Sequence, residues 1–98
     1  MDSSRTDDIL GQYSRLAADD RVTPIHLSVY MSLICLWHTH GYADAIIVTR
    51  KRIMKLAHIS SIATYHKCIR QLVDYGYIIY QPSYNYYKKT TIALTGRS

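Results

Sequence analysis

The run SSIATYHKCIRQLVDYGYI, residues 60–78, carries four side chains able to hydrogen-bond a polar partner from one side of a helix: Thr64, Lys67, Arg70 and Gln71. At about 100° per residue, a wheel centred on Ile62 turns Tyr65, Ile69, Leu72 and Val73 inward. It turns Lys67 outward, with Ala63, Thr64, Asp74 and Gln71 beside it, Arg70 toward one edge and His66 near the core boundary. Short residues at the helix start (Ser61, Ala63, Thr64) and longer ones further along (Lys67, Gln71) suit a groove whose floor lies close to the helix N-terminus. A solvated face with no partner would use the same residue types.

A second cluster is Thr49-Arg50-Lys51-Arg52, with Lys55 one turn on. Thr49 is a good N-cap, which puts three cations on the first helical turn. The helix dipole is positive there, so each cation costs a few tenths to about 1 kcal/mol. A capping box would want Glu or Gln at the position of Arg52. A bound phosphate would reverse the sign, because free N–H groups, dipole and cations would then all favour it. The alternative is that the long side chains splay into water. The anion-contacting candidates are therefore Thr49, Arg50, Lys51, Arg52, Lys55, Ser60, His66 and Arg70.

The third cluster is Tyr84, Asn85, Tyr86, Tyr87, Lys88 and Lys89, at or beside a turn signalled by PSYN. Tyrosines beside lysines suit a sugar-phosphate backbone, or stacking on unpaired bases at about 1–3 kcal/mol per base. Cross-strand tyrosine pairing within a hairpin is the structural alternative, and it accounts best for Tyr77 and Tyr80.

The elements that would hold these clusters follow from pattern. TDDILGQYSRLAA predicts a helix over 6–18, capped by Thr6, with Asp7 and Asp8 in its first turn and Ile9, Leu10, Tyr13, Leu16 and Ala17 on one stripe. Thr23-Pro24 predicts the start of a second helix running to about Thr39 and stopping before Gly41. That helix is apolar nearly all round and reads as the core element, with Trp37 buried. Ser28, Ser32, Cys35 and Thr39 make a small-residue stripe for close approach by another helix, of this protomer or a partner. Ile46 to Val48 predicts a very short strand. Thr49 then begins a helix to about His58, with Ile53, Met54, Leu56 and Ala57 inward. After a tight link comes a helix over 61–75, closed by Gly76 in a left-handed cap. YGYIIYQ and YYKKTTIAL predict a two-stranded hairpin, with Thr90, Ile92 and Leu94 inward.

Two short helices, a tight turn and a hairpin make a winged helix-turn-helix. The pattern LAHIS-S-x-x-T-Y-x-x-x-I-x-x-L-x-x-x-G-Y-I over 56–78 resembles winged-helix regulators with GntR- and MarR-like spacing. With PSYN in the wing and LSVYMSLICLWH upstream, the chain is similar to small winged-helix proteins of bacterial mobile elements. The resemblance implies a mainly α fold with a small β-hairpin. It implies an N-terminal helical extension over 1–22 and a winged helix-turn-helix domain over 23–98. It also implies that serine caps the recognition helix and that Thr64 faces DNA. In that docking mode the start of the second helix enters the major groove. Lys67 could then bind guanine O6 or N7, and Gln71 could pair with adenine. Ser61, Ala63, Thr64, Lys67 and Gln71 are the candidate base readers. Tyr84, Asn85, Tyr86, Lys88 and Lys89 are the candidate wing contacts.

Charge is divided along the chain. Residues 1–44 hold Arg5, Arg15, Arg21 and six aspartates, while residues 45–98 hold nine basic groups and Asp74 alone. The net charge is +5 and glutamate is absent, so a polyanion is the partner that the charge favours. Cys35 and Cys68, 33 residues apart within apolar patterns, read as reduced core thiols and not as a disulfide or metal framework. His38 and His40 stand alone as ligand types, so no metal or cofactor is expected. No nucleophile motif, carboxylate pair or glycine-rich phosphate loop is visible, so an enzyme is not expected.

The longest apolar run, Ile25 to Trp37, falls short of the roughly 20 residues that a membrane span needs. The first 24 residues lack the apolar stretch of a secretory signal, so a cytoplasmic location is expected. The expected function is sequence-specific double-stranded DNA binding, in transcription regulation or in the biology of a mobile element. The expected partner is duplex DNA; a second copy of the chain could join through the N-terminal helix or the first core helix, or the N-terminal helix could equally fold back on its own protomer. The alternatives are a winged-helix adaptor for another protein and a single-stranded nucleic-acid binder using the wing tyrosines.

Overall fold

The computed structural model describes residues 3–82 and 89–95, with side chains described over 7–81 and 89–95. Its elements are α1 (Ser3–Ala17), α2 (Pro24–Thr39), β1 (Ile46–Thr49), α3 (Arg50–Ala57), α4 (Ile62–Asp74), β2 (Ile78–Pro82) and β3 (Lys89–Leu94). The chain is mainly helical, with one small antiparallel sheet.

Thr23 and Pro24 start α2 as their chemistry predicts. Thr23 is extended, its Oγ1 accepts the His26 N–H, and the His26 ring closes a capping box by accepting the Thr23 N–H. The helix is the central core element. Val29, Tyr30, Leu33, Ile34, Leu36 and Trp37 are all buried. Truncating one of the larger aliphatics to alanine would cost about 2–5 kcal/mol. The helix is not enclosed on every side, however: Met31, Cys35 and His38, one stripe at helical spacing, are exposed. Cys35 is thus a surface thiol, while Cys68 is buried as expected, and burial pushes its thiol up to about 11.

The small-residue stripe of α2 divides in two. Ser28 donates to the carbonyl of Ala57 at 2.8 Å, and buried Ser32 donates back to Ser28 at 2.9 Å. The approaching helix there is α3 of the same chain. Cys35 and Thr39 are exposed.

α1 begins at Ser3, so Thr6 lies inside it and not at its cap, and Asp7 and Asp8 fall beyond its first turn. Its inward stripe is Ile9, Gln12, Tyr13 and Leu16, whereas Leu10 and Ala17 face water. Gln12 replaces Leu10 on that stripe because its Oε1 accepts the buried Tyr30 hydroxyl at 3.0 Å. Leu16 belongs to the same core cluster as α2. The polar link after α1 is a knot. The Asp19 carboxylate accepts the Tyr77 hydroxyl at 2.6 Å and the Arg21 guanidinium at 2.7 Å. These bonds hold Asp19 well below the ordinary carboxylate range, the Arg21 side chain contributing most.

Among the described residues the sheet has three strands in the order β1-β3-β2, so the short strand expected at 46–48 joins the expected hairpin in one sheet. β1 pairs with β3 from Ile46↔Ile92 to Thr49↔Lys89, and β2 pairs with β3 from Ile78↔Leu94 to Pro82↔Thr90. Strand alternation puts Ile46, Val48, Ile78, Thr90, Ile92 and Leu94 on the buried face. Ile47 and Ile79 stand on the outer face, both more than half exposed. Tyr77 pairs across only by its carbonyl, which accepts the Thr95 N–H at 3.0 Å; its ring does not pair across this sheet. It precedes β2, packs edge-on to Tyr30 and ends on Asp19, while Tyr80 lies within the ladder opposite Ile92.

Candidate nucleic-acid interface

Thr49 ends β1 in an extended conformation and caps α3, its Oγ1 accepting the Arg52 N–H at 3.1 Å. Its hydroxyl oxygen is therefore already engaged. Arg50 is half-buried, and Lys51, Arg52 and Lys55 are exposed. Inward, α3 presents Ile53 and Ala57 fully and Met54 in part, while Leu56 is exposed, contrary to the pattern expected of it. The β-ladder adds a further cation. Lys89, exposed at the start of β3, is the register partner of Thr49 and so stands beside the beginning of α3. Arg50 lies near enough to the buried Tyr65 of α4 to oppose, in part, the upward push that burial gives its phenol.

α3 ends on His58 in the left-handed conformation, φ 60°, whose N–H closes on Lys55 and which turns the chain directly into α4. Ser61 caps α4, its Oγ accepting the Thr64 N–H at 3.2 Å, while Ser60 is exposed. Gly76 follows α4 at φ 84°, the left-handed position predicted for it.

The inward arc of α4 consists of Tyr65, Cys68, Ile69 and Leu72. Ile62 and Val73, expected inside, are exposed. The buried direction is therefore rotated by about 70° from Ile62, because Cys68 packs inward toward the Ile25 carbonyl of α2. Rotation reorders the outward face. Its centre is the ridge Ala63, Lys67, Arg70 and Asp74, all exposed. Arg70 moves from the edge to the centre. His66 is exposed on one flank, and Thr64 and Gln71 move to the other flank, where both are half-buried.

That second flank faces the start of α2. Thr64 lines a groove of about 350 Å³ with Ser60, Ser61 and Ile59 on one side and Pro24, Ile25 and Ser28 on the other. Further along, the Gln71 Oε1 lies 2.8 Å from the His26 Nε2. Gln71 is thus a helix–helix contact and not a freely extended base reader. Around it, His26 meets Tyr75 edge-on at 5.7 Å, and the Arg21 guanidinium covers the Tyr75 ring at 4.2 Å. His26 and Arg21 were not singled out from sequence. The available signal was the spacing T-P-x-H, which puts a ring nitrogen where a capping box usually has Glu or Gln.

None of Arg50, Lys51, Arg52, Lys55, Lys67, Arg70 and Lys89 has a carboxylate within 4 Å among the described residues. The cation–carboxylate contact found there, Arg21–Asp19, lies in the acidic N-terminal half. Tyr84, Asn85, Tyr86, Tyr87 and Lys88, with most of the PSYN turn, lie outside the described residues.

The two histidines of the HTH run are engaged locally, His38 with the Tyr42 hydroxyl and His40 with the Leu36 carbonyl. Among the described residues there is no group of three or more metal-ligating side chains, and no helix long and apolar enough to cross a membrane. No protein-family model, curated protein or solved structure matches the chain.

Proposed function

We propose that this chain is a winged helix-turn-helix protein that binds duplex DNA by sequence, in transcription regulation or in the DNA transactions of a mobile element. In this reading α3 and α4 are the helix-turn-helix, and β2 and β3 carry the wing. The ridge Ala63, Lys67 and Arg70 meets base edges in the major groove. Arg50, Lys51, Arg52, Lys55 and Lys89 hold phosphates.

One observation carries the reading: the first turn of α3 bears three cations with no carboxylate in reach among the described residues, and the β-ladder brings Lys89 to the same end. Folding alone gives no reason for this, since the helix dipole opposes cations at an N-terminus. A phosphate backbone supplies the reason. An adaptor for another protein has no need of such a concentration.

Mobility-shift titration of Lys67→Ala and Arg52→Ala against a selected duplex and a random one tests the assignment. Lys67→Ala should lose discrimination between the two duplexes, at about 1–3 kcal/mol. Arg52→Ala should weaken both duplexes alike. Uniform losses from both variants would sink base reading by α4, and wild-type protein that ignores duplex DNA at low salt would sink the whole proposal. A palindromic selected site would in addition report a dimer.

A further inference from the structure

The geometry points to Gln71 as a donor-only contact to DNA, selecting a guanine edge and not adenine, with His26 as the positioning residue that makes it so. The inference rests on the duplex-binding reading and deepens it.

The argument starts at a backbone amide. The Thr23 N–H can only donate, and it lies 2.8 Å from the His26 Nδ1. Nδ1 is therefore the unprotonated ring nitrogen, and the ring proton sits on Nε2. That proton faces the Gln71 Oε1 at 2.8 Å. A flipped amide would set NH₂ hydrogens against the ring N–H, so the oxygen is held toward α2. His26 is 2% exposed and packed edge-on to Tyr75, so the ring cannot turn without opening the capping box of α2.

The consequence falls on the other end of the amide. With its oxygen fixed against α2, Gln71 offers a partner its NH₂ group, which donates and cannot accept. Bidentate pairing to adenine needs both an acceptor for N6–H and a donor for N7. A guanine edge, with O6 and N7 both acceptors, is the one that offers two acceptors to a donor-only group; adenine N7 and thymine O4 offer one each. A phosphate oxygen shares that chemistry.

Binding-site selection from a randomised duplex library, run on the wild-type chain, Gln71→Ala and His26→Leu, tests the inference and separates the two acceptors. Base contact predicts one position at which wild type prefers guanine and Gln71→Ala does not, with a loss of about threefold to tenfold on the preferred site. Phosphate contact predicts the same loss spread evenly over all sequences. His26→Leu should relax that one position and leave the others, whereas a merely structural role would weaken every position.

Adenine at the position that Gln71→Ala loses, or no effect of Gln71→Ala at all, overturns the inference and leaves duplex binding standing. Wild type that enriches no sequence and retains no duplex overturns both. Should His26→Leu fail to fold, long-range ¹H–¹⁵N correlations of the wild-type His26 ring decide without it. A protonated Nε2 supports the fixed amide, and a protonated Nδ1 overturns it.

Discussion

Lys89 stands opposite Thr49 in the antiparallel β1–β3 ladder, and Thr49 is the cap of α3. β3 therefore delivers the cation of Lys89 to the helix start that already carries Arg50, Lys51 and Arg52. Each phosphate contact adds about 0.9 to the slope of log affinity against log salt. Lys89→Ala and Arg52→Ala should each flatten that slope by about 1, and the double variant by about 2. Fluorescence-anisotropy titrations over a salt series read this directly. A Lys89→Ala slope equal to wild type would remove β3 from the proposed phosphate contacts.

His58 makes the turn between α3 and α4 with φ 60°, a conformation that costs a side chain about 1 kcal/mol and glycine almost nothing. His58→Gly should therefore leave thermal stability unchanged or raise it by a few degrees, despite the freer unfolded chain. His58→Val, β-branched in the same conformation, should lower it. Thermal melts by circular dichroism compare the two. A large loss in the glycine variant would mean that the imidazole itself holds the turn.

The Asp19 carboxylate is held below its ordinary value of 3.8 by Arg21 and Tyr77. A carboxylate depressed by folding contributes stability that is present above its unfolded pKa and lost as pH falls through the folded one. The gap in melting temperature between wild type and Asp19→Asn should thus be full at pH 6 and shrink as the pH drops below about 4. The same gap at every pH would show that Asp19 acts by shape and not by charge.

Helix positions and caps were legible because they are local. Thr23, Pro24, Thr49, Ser61 and Gly76 each mark an end by their own chemistry, and all five do so in the structure. What sequence could not supply was the rotation of α4. A wheel centred on Ile62 takes that residue's own direction as the core, yet Ile62 and Val73 are exposed and Cys68 is not. The direction of burial depends on where α2 crosses, and that is a long-range fact. The short strand at Ile46–Val48 was legible but its pairing was not, for the same reason: it shows its partner only once β3 lies alongside it. Gln71 looked free on the wheel because its partner, His26, is 45 residues away in the chain.

The strand order leaves β1 and β2 at the two margins of the sheet, each with one side free of a neighbouring strand among the described residues. Unpaired backbone at such margins invites another chain to add on, and ribbons grow that way. β1 offers just four residues before Arg50 turns the chain into a helix, and β2 closes on Pro82, which has no N–H to give. Both seams are short and one ends without a donor, so each offers a visiting strand little backbone to pair with, even though Ile47 and Ile79 face the solvent.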